Sequence, residues 1–161
     1  MWFLENFIIF VEQHAIRTTQ NKQQMARDLI HYAIKRALEK DGWVITDDPL
    51  TVISEQTKFF IDIGAKKFVT AKKGKEEIAV EIKTFGYSSI LEPFYSALGK
   101  YLVYKKALED ILSTRKLFLG ISKTTYFRIN QIPIFKNILT SFEVKIIIVD
   151  VNKEKILQWI R

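Results

Sequence analysis

The sequence predicts an α/β (α+β) domain with an αβββαβ core, in which helices flank a mixed central sheet. Three observations carry this. Apolar residues recur at helical spacing from Ala26 to Leu38 and again from Leu91 to Leu108, and between these stretches lie short runs of strand length. Val144–Val151 contains an unbroken Ile-Ile-Ile-Val run, the pattern of a strand covered on both faces. The chain has 161 residues, the length of one domain, and can bury one good core.

Each element has its own signal. Ala26, Leu29, Ile30, Ala33, Ile34, Ala37 and Leu38 form the apolar face of a first helix. Asp41-Gly42 ends it, with the glycine free to take the left-handed cap. Trp43–Thr46 reads as a strand and Asp47-Asp48-Pro49 as a turn. Phe59–Gly64 and Ile78–Phe85 are the second and third strands, an antiparallel hairpin turning near Gly74. Leu91, Phe94, Tyr95, Leu98, Leu102 and Leu108 mark a long second helix. Leu117–Ile121 is a strand, Pro133 opens another helix, Val144–Val151 follows as a strand, and Ile156–Ile160 forms the last one.

Residues 1–24 stand apart. Trp2, Leu4, Phe7, Ile8, Val11 and Ala15 fall at helical spacing, whereas Thr18–Gln24 is polar. These residues are expected to be a helical extension outside the core, upstream of an original start at Met25, with 25–161 as the domain. A helix that packs on a partner is the other reading. The apolar stretch is too short to span a bilayer and has no basic leader pattern. A membrane-surface role is disfavoured because Glu5 and Glu12 balance Arg17 and Lys22. The expected location is the cytoplasm.

The absence of cysteine excludes disulfide scaffolds, Cys-ligated zinc, Fe–S clusters and thiol nucleophiles. With two histidines, any metal has to be a hard cation held by carboxylates. The net charge of +7 favours a polyanionic partner, nucleic acid first.

The chemistry concentrates in the hairpin. Ile78, Val80 and Ile82 alternate with Glu81 and Lys83, which share the other strand face about 6.7 Å apart. On the preceding strand, Asp62 alternates with Ile61 and Ile63. A carboxylate in apolar sequence needs a cation, which Lys83 or a divalent metal supplies. Asp62 and Glu81, with the Ile82 carbonyl, are the candidate ligands of Mg²⁺ or Mn²⁺. The ion would acidify a water and stabilise charge on a scissile phosphate, with Lys83 orienting or deprotonating that water. This is the pattern of the PD-(D/E)xK nuclease core. The competing reading is a salt-bridge cluster at a sheet edge. A second Glu-x-Lys, Glu143-Val144-Lys145, has no Asp-bearing hairpin partner before it. His31 is a candidate support from above the site. Lys66, Lys67, Lys72, Lys73 and Lys75 could track a phosphate backbone, or simply solvate the hairpin. Tyr87, Tyr95, Tyr101 and Tyr104 are candidates for base stacking, with core packing the default for the last three.

The segments Met25–His31, Lys35–Trp43, Ile45-Thr46, Asp48–Leu50, Ile61–Ala65, Ile78–Phe85, Ala97–Gly99 and Trp159-Ile160 together resemble the XisH family, the fdxN-element excision controlling factors of cyanobacteria. The resemblance covers residues 25–161. It implies a restriction-endonuclease-like fold with Asp62, Glu81 and Lys83 at the nuclease-like triad. It also implies a role in programmed DNA-element excision, alongside DNA, a companion protein, XisI, and a recombinase. Lys100 stands where the family pattern has Gln, and Pro93 and Tyr95 where it has Glu and His, so the polar support from the second helix differs. The alternative is a non-catalytic control factor that binds DNA and XisI. Self-association into a homo-oligomer is compatible with either.

Overall fold

In the computed structural model, which describes residues 2–70, 74–86 and 89–161, a six-stranded mixed sheet separates two apolar cores. The elements in chain order are α1 (Trp2–Lys40), β1 (Val44–Asp47), β2 (Leu50–Ser54), β3 (Thr57–Ile61), β4 (Ile63–Thr70) and β5 (Gly74–Ile82). Then come α2 (Leu91–Asp110), β6 (Lys116–Ser122), α3 (Lys123–Asn130), α4 (Pro133–Ser141), β7 (Ile146–Asp150) and β8 (Lys155–Ile160). The large sheet has the order β1-β4-β5-β6-β7-β8, and β2 and β3 form a separate two-stranded ribbon. The β5–β6 and β6–β7 pairs are parallel and the others antiparallel. The mixed sheet flanked by helices is as the sequence predicts.

One core lies under α1. Ile30, Ile34, Ala37 and Leu38 pack on Ile63, Ile78, Val80, Ile82, Phe118 and Ile147. Trp159 closes its end, with ring centroids 5.7 Å from Trp43 and 5.0 Å from Phe118. Gly120 permits this approach: a Cβ there would meet Ile34 Cδ1 at 2.9 Å and Val80 Cγ1 at 3.0 Å. Ala26 and Leu29, which helical spacing assigns to the core, are exposed. The helix turns Ile30, Ala33, Ile34, Ala37 and Leu38 to the sheet, and a stripe that narrow leaves the adjacent positions in water. Gly42, at φ +86°, closes α1 as expected, its N–H donating to the Glu39 carbonyl.

The second core lies under α2, α3 and α4, where Phe94 stacks on Phe135 at 3.9 Å. Tyr101 is buried in it; its hydroxyl donates to the Leu117 carbonyl at 3.2 Å and accepts from the Lys145 N–H at 3.0 Å. Ile78, Val80 and Ile82 face α1, so Ala79 and Glu81 face α2, in the alternation the sequence predicts.

Three local readings are corrected. The expected second strand, Phe59–Gly64, is two strands meeting at Asp62: Ile61 enters the α2-side core and Ile63 the α1-side core. The cause is a side-chain substitution in the ladder, since Asp62 Oδ2 accepts the Ile82 N–H at 2.7 Å. The third strand ends at Ile82 rather than Phe85. β2 and α3 add to the predicted elements; α3 is capped by Ser122, whose hydroxyl accepts the Thr125 N–H at 3.1 Å.

Candidate functional site

Asp62, Glu81 and Lys83 come together where β4 and β5 leave the sheet beneath α2. Glu81 is placed by strand parity and is 1% exposed. Asp62 is placed by the Ile82 N–H that it accepts, which fixes its carboxylate beside the end of β5. That hydrogen bond is what the structure contributes at Ile82, whose carbonyl is the predicted ligand.

The match between strand and helix explains why α2 supplies the partners. Glu81 and Lys83, two residues apart on extended chain, are separated by about 6.7 Å. Ser96 and Lys100, four apart on a helix, are separated by about 6 Å along its axis. The two pairs therefore register: Lys100 Nζ donates to Glu81 Oε1 at 3.0 Å, and Lys83 Nζ donates to Ser96 Oγ at 2.8 Å. Arg27 of α1 reaches Asp62 Oδ1 at 3.6 Å. Glu81 Oε2 is buried and has no hydrogen-bond partner among the described residues.

These contacts set the ionisation. Burial, reinforced by the nearby Asp62 charge, pushes Glu81 up to about 7 from an ordinary 4.5, with the Lys100 hydrogen bond opposing. Burial also lowers the Lys83 pKa, and the charges of Lys100 and Arg27 lower it further. Burial is the largest influence on Lys100 and works against its charge, but the hydrogen bond to Glu81 and the charges of Glu81, Tyr104 and Asp62 together outweigh it, and its pKa is raised. Two carboxylates thus share this corner with three cations, and the buried one, Glu81, is half-protonated near neutral pH.

A cavity of about 650 Å³ opens beside the cluster, lined by Arg27, His31, Asp62, Lys100 and Tyr104 among others. His31 lies on its wall, but its Nε2 is 2.9 Å from Asp48 Oδ1, and Lys35 holds the other Asp48 oxygen at 2.7 Å. Lys100 is in the site itself. Arg27 and Ser96 also belong to this corner, and sequence reasoning misses both; the i, i+4 spacing of Arg27 with His31 and of Ser96 with Lys100 is the signal that finds them.

Of the hairpin lysines, Lys67 donates to the Asp41 carbonyl and lies 3.3 Å from the Asp41 carboxylate, and Lys75 pairs with Glu77 at 3.3 Å. Lys66 lies opposite Glu77 across the hairpin. Lys72, Lys73 and Tyr87 lie outside the described residues. Glu143 and Lys145 line a second cavity, at the other end of β6 and β7. Tyr101 and Tyr104 are buried, and Tyr95 is exposed.

Among the described residues no group of three or more His, Asp and Glu side chains is placed to hold a metal. The residues present nonetheless suit a cation that takes few protein ligands: a buried carboxylate oxygen without a partner stands beside a second carboxylate. No helix among the described residues is long and apolar enough to cross a membrane.

Fold and site define a mixed α/β protein with a carboxylate–lysine cluster at the end of a sheet hairpin. Residues 24–157 match the family model of the XisH protein, and the chain belongs to the XisH family. The crystal structure of an fdxN element excision controlling factor protein from Anabaena variabilis is 38% identical, with a TM-score of 0.74 over 84% of this chain and 100% of that one. An XisH family protein from Nostoc punctiforme PCC 73102 is 39% identical, with a TM-score of 0.74 over 83% of this chain and 99% of that one. No curated protein matches the sequence.

Proposed function

We propose that this protein is a DNA-processing factor in programmed element excision, in which Asp62, Glu81 and Lys83 form an endonuclease-like, phosphodiester-cleaving site dependent on Mg²⁺ or Mn²⁺. The observation that carries this reading is the buried, unpartnered Oε2 of Glu81 beside Asp62, an arrangement that costs stability unless a cation or proton satisfies it. Asp62 and Glu81 would hold the ion, which when bound supplies an acidified water and charge compensation at phosphate. Lys83, with its lowered pKa, gives up a proton more readily than a free lysine, and Ser96 holds its amine by a hydrogen bond within the field of both carboxylates. DNA is the substrate in this reading, a XisI-like protein and a site-specific recombinase are the partners, and the cytoplasm is the place of action. The net charge of +7 supports the polyanionic partner.

A second reading rests on a specific contact. Lys100 neutralises Glu81 and Arg27 approaches Asp62, so the cluster is already provided with cations. In that reading the protein is a non-catalytic control factor that binds DNA and its companion. Incubation of varied DNA substrates with Mg²⁺ or Mn²⁺, comparing wild type with Lys83→Ala, separates the two. Metal-dependent cleavage that disappears in the variant supports the nuclease. Absence of cleavage, together with absence of divalent-metal heat in calorimetry with and without DNA, supports the control factor.

A further inference from the structure

The helix α1 carries two apolar faces, and the fold uses one of them. Ile30, Ala33, Ile34, Ala37 and Leu38 are buried on the sheet. On the opposite side runs a second stripe: Leu4, Ile8, Val11, Ala15, Thr18, Lys22, Met25, Leu29 and Tyr32. Its spacing alternates four and three residues without interruption from Leu4 to Tyr32. A period of 3.5 is the pattern of a two-helix seam, in which Leu4, Val11, Thr18, Met25 and Tyr32 take the d positions and Ile8, Ala15, Lys22 and Leu29 the a positions. Beyond Tyr32 the same rows hold Arg36 and Glu39, which pair with each other at 2.9 Å, so the seam ends there.

Every seam position is in water. Leu4 is 67% exposed, Ile8 53%, Val11 48%, Met25 65%, Leu29 64% and Tyr32 57%. An isolated helix is marginal in water without tertiary packing, and a contiguous apolar strip of this length marks an interaction surface. We propose that α1 pairs with α1 of a second copy of this chain, forming a two-stranded coiled coil that makes the protein a dimer.

The choice of occupant rests on period and area. Burial of a Val, Leu or Ile side chain removes roughly 60–120 Å² from water. Six large seam residues then give roughly 500 Å² per copy, and two copies reach the roughly 1,000 Å² of a specific interface. Lys22 at an a position is the polar residue that coiled coils use to fix register at a cost in stability. Arg27 and His31 lie on the side of α1 away from the seam, so pairing leaves the cavity beside Asp62 open. A bilayer surface would take up Ile9 and Phe10 as readily as Ile8 and Val11, whereas a seam discriminates between them.

Light scattering and sedimentation of the full chain test this. The expected mass is twice the 18.9 kDa of one chain. Ile8→Glu with Val11→Glu should give monomer, while Ile9→Glu with Phe10→Glu, outside the seam, should leave the dimer. Lys22→Leu should tighten it tenfold or more in dissociation constant, about one step on the affinity scale. Circular dichroism and melting should show the domain folded in each variant. A wild-type monomer at about 100 μM overturns the proposal, since an association weaker than this falls toward the millimolar range. Equal loss of the dimer in the two double variants overturns it too, as does a monomer that binds neutral phosphatidylcholine vesicles.

Discussion

Replacing Glu81 by Gln should stabilise the protein at neutral and alkaline pH and make its stability less dependent on pH. Glu81 ionises near 4.5 in the unfolded chain and at about 7 in the folded one. Between those values the folded state binds more protons than the unfolded state, so stability falls as pH rises through the window. A shift of this size corresponds to about 3 kcal/mol, fully present below pH 4.5 and lost once the pH has risen past 7. In a protein of this length that is about 2–4 °C of melting temperature per kcal/mol. Gln keeps the shape and removes the titration. Urea denaturation of wild type and Glu81→Gln at intervals from pH 5 to pH 8 measures the effect as a difference in midpoint at constant slope. The difference should grow with pH in favour of Gln. A difference that is flat across the range, or that grows in favour of wild type, would refute the assignment of burial and the Asp62 charge as the dominant influences on Glu81.

Other positions yield three more expected outcomes. Lys100→Met should raise the Glu81 pKa further and destabilise the protein more at pH 8 than at pH 5, because the partner it leaves is charged only at the higher pH; equal destabilisation at both values would show that the ion pair contributes little. Gly120→Ala should cost about 1–3 kcal/mol in denaturation, because its Cβ meets Ile34 and Val80 in a close-packed core. On the proposed DNA-binding role, neutralising Lys72, Lys73 and Lys75 should weaken binding to a DNA duplex and flatten its salt slope by about 0.9 for each phosphate no longer neutralised; an unchanged slope assigns these lysines to solubility.

The legible parts of the fold were those where one period governs. Ile78, Val80 and Ile82 alternate with Glu81 strictly enough that the structure keeps the predicted faces. The run Ile146–Asp150 is buried throughout, as an unbroken apolar stretch demands. Asp62 shows where parity fails. A side-chain oxygen took the hydrogen bond of a main-chain carbonyl, and the strand broke at that residue, so its two neighbours entered different cores. No alternation rule contains that event. Leu29 departs for another reason: helical spacing places it beside Ile30, yet the sheet accepts a narrower stripe, and the remainder belongs to a second periodicity. The carboxylates and Lys83 were visible as charges in apolar sequence. Lys100 was visible as a departure from the family pattern, whereas Arg27 and Ser96 come from distant helices, and reaching them requires knowing which helix crosses the end of β5.

The hydrogen bonds already made at the two carboxylates limit how either can engage anything else. Oδ2 of Asp62 accepts from the main chain of Ile82, where withdrawal would loosen the C-terminal end of β5. Glu81 spends Oε1 on Lys100. Outside those hydrogen bonds lie Oδ1 of Asp62, approached at 3.6 Å by a half-exposed Arg27, and Oε2 of Glu81. Whatever enters this corner meets one such oxygen from the junction of β3 with β4 and one from β5. Its position is then set by the spacing between β4 and β5, which makes the alignment of the hairpin, rather than the reach of a flexible side chain, the determinant of what fits.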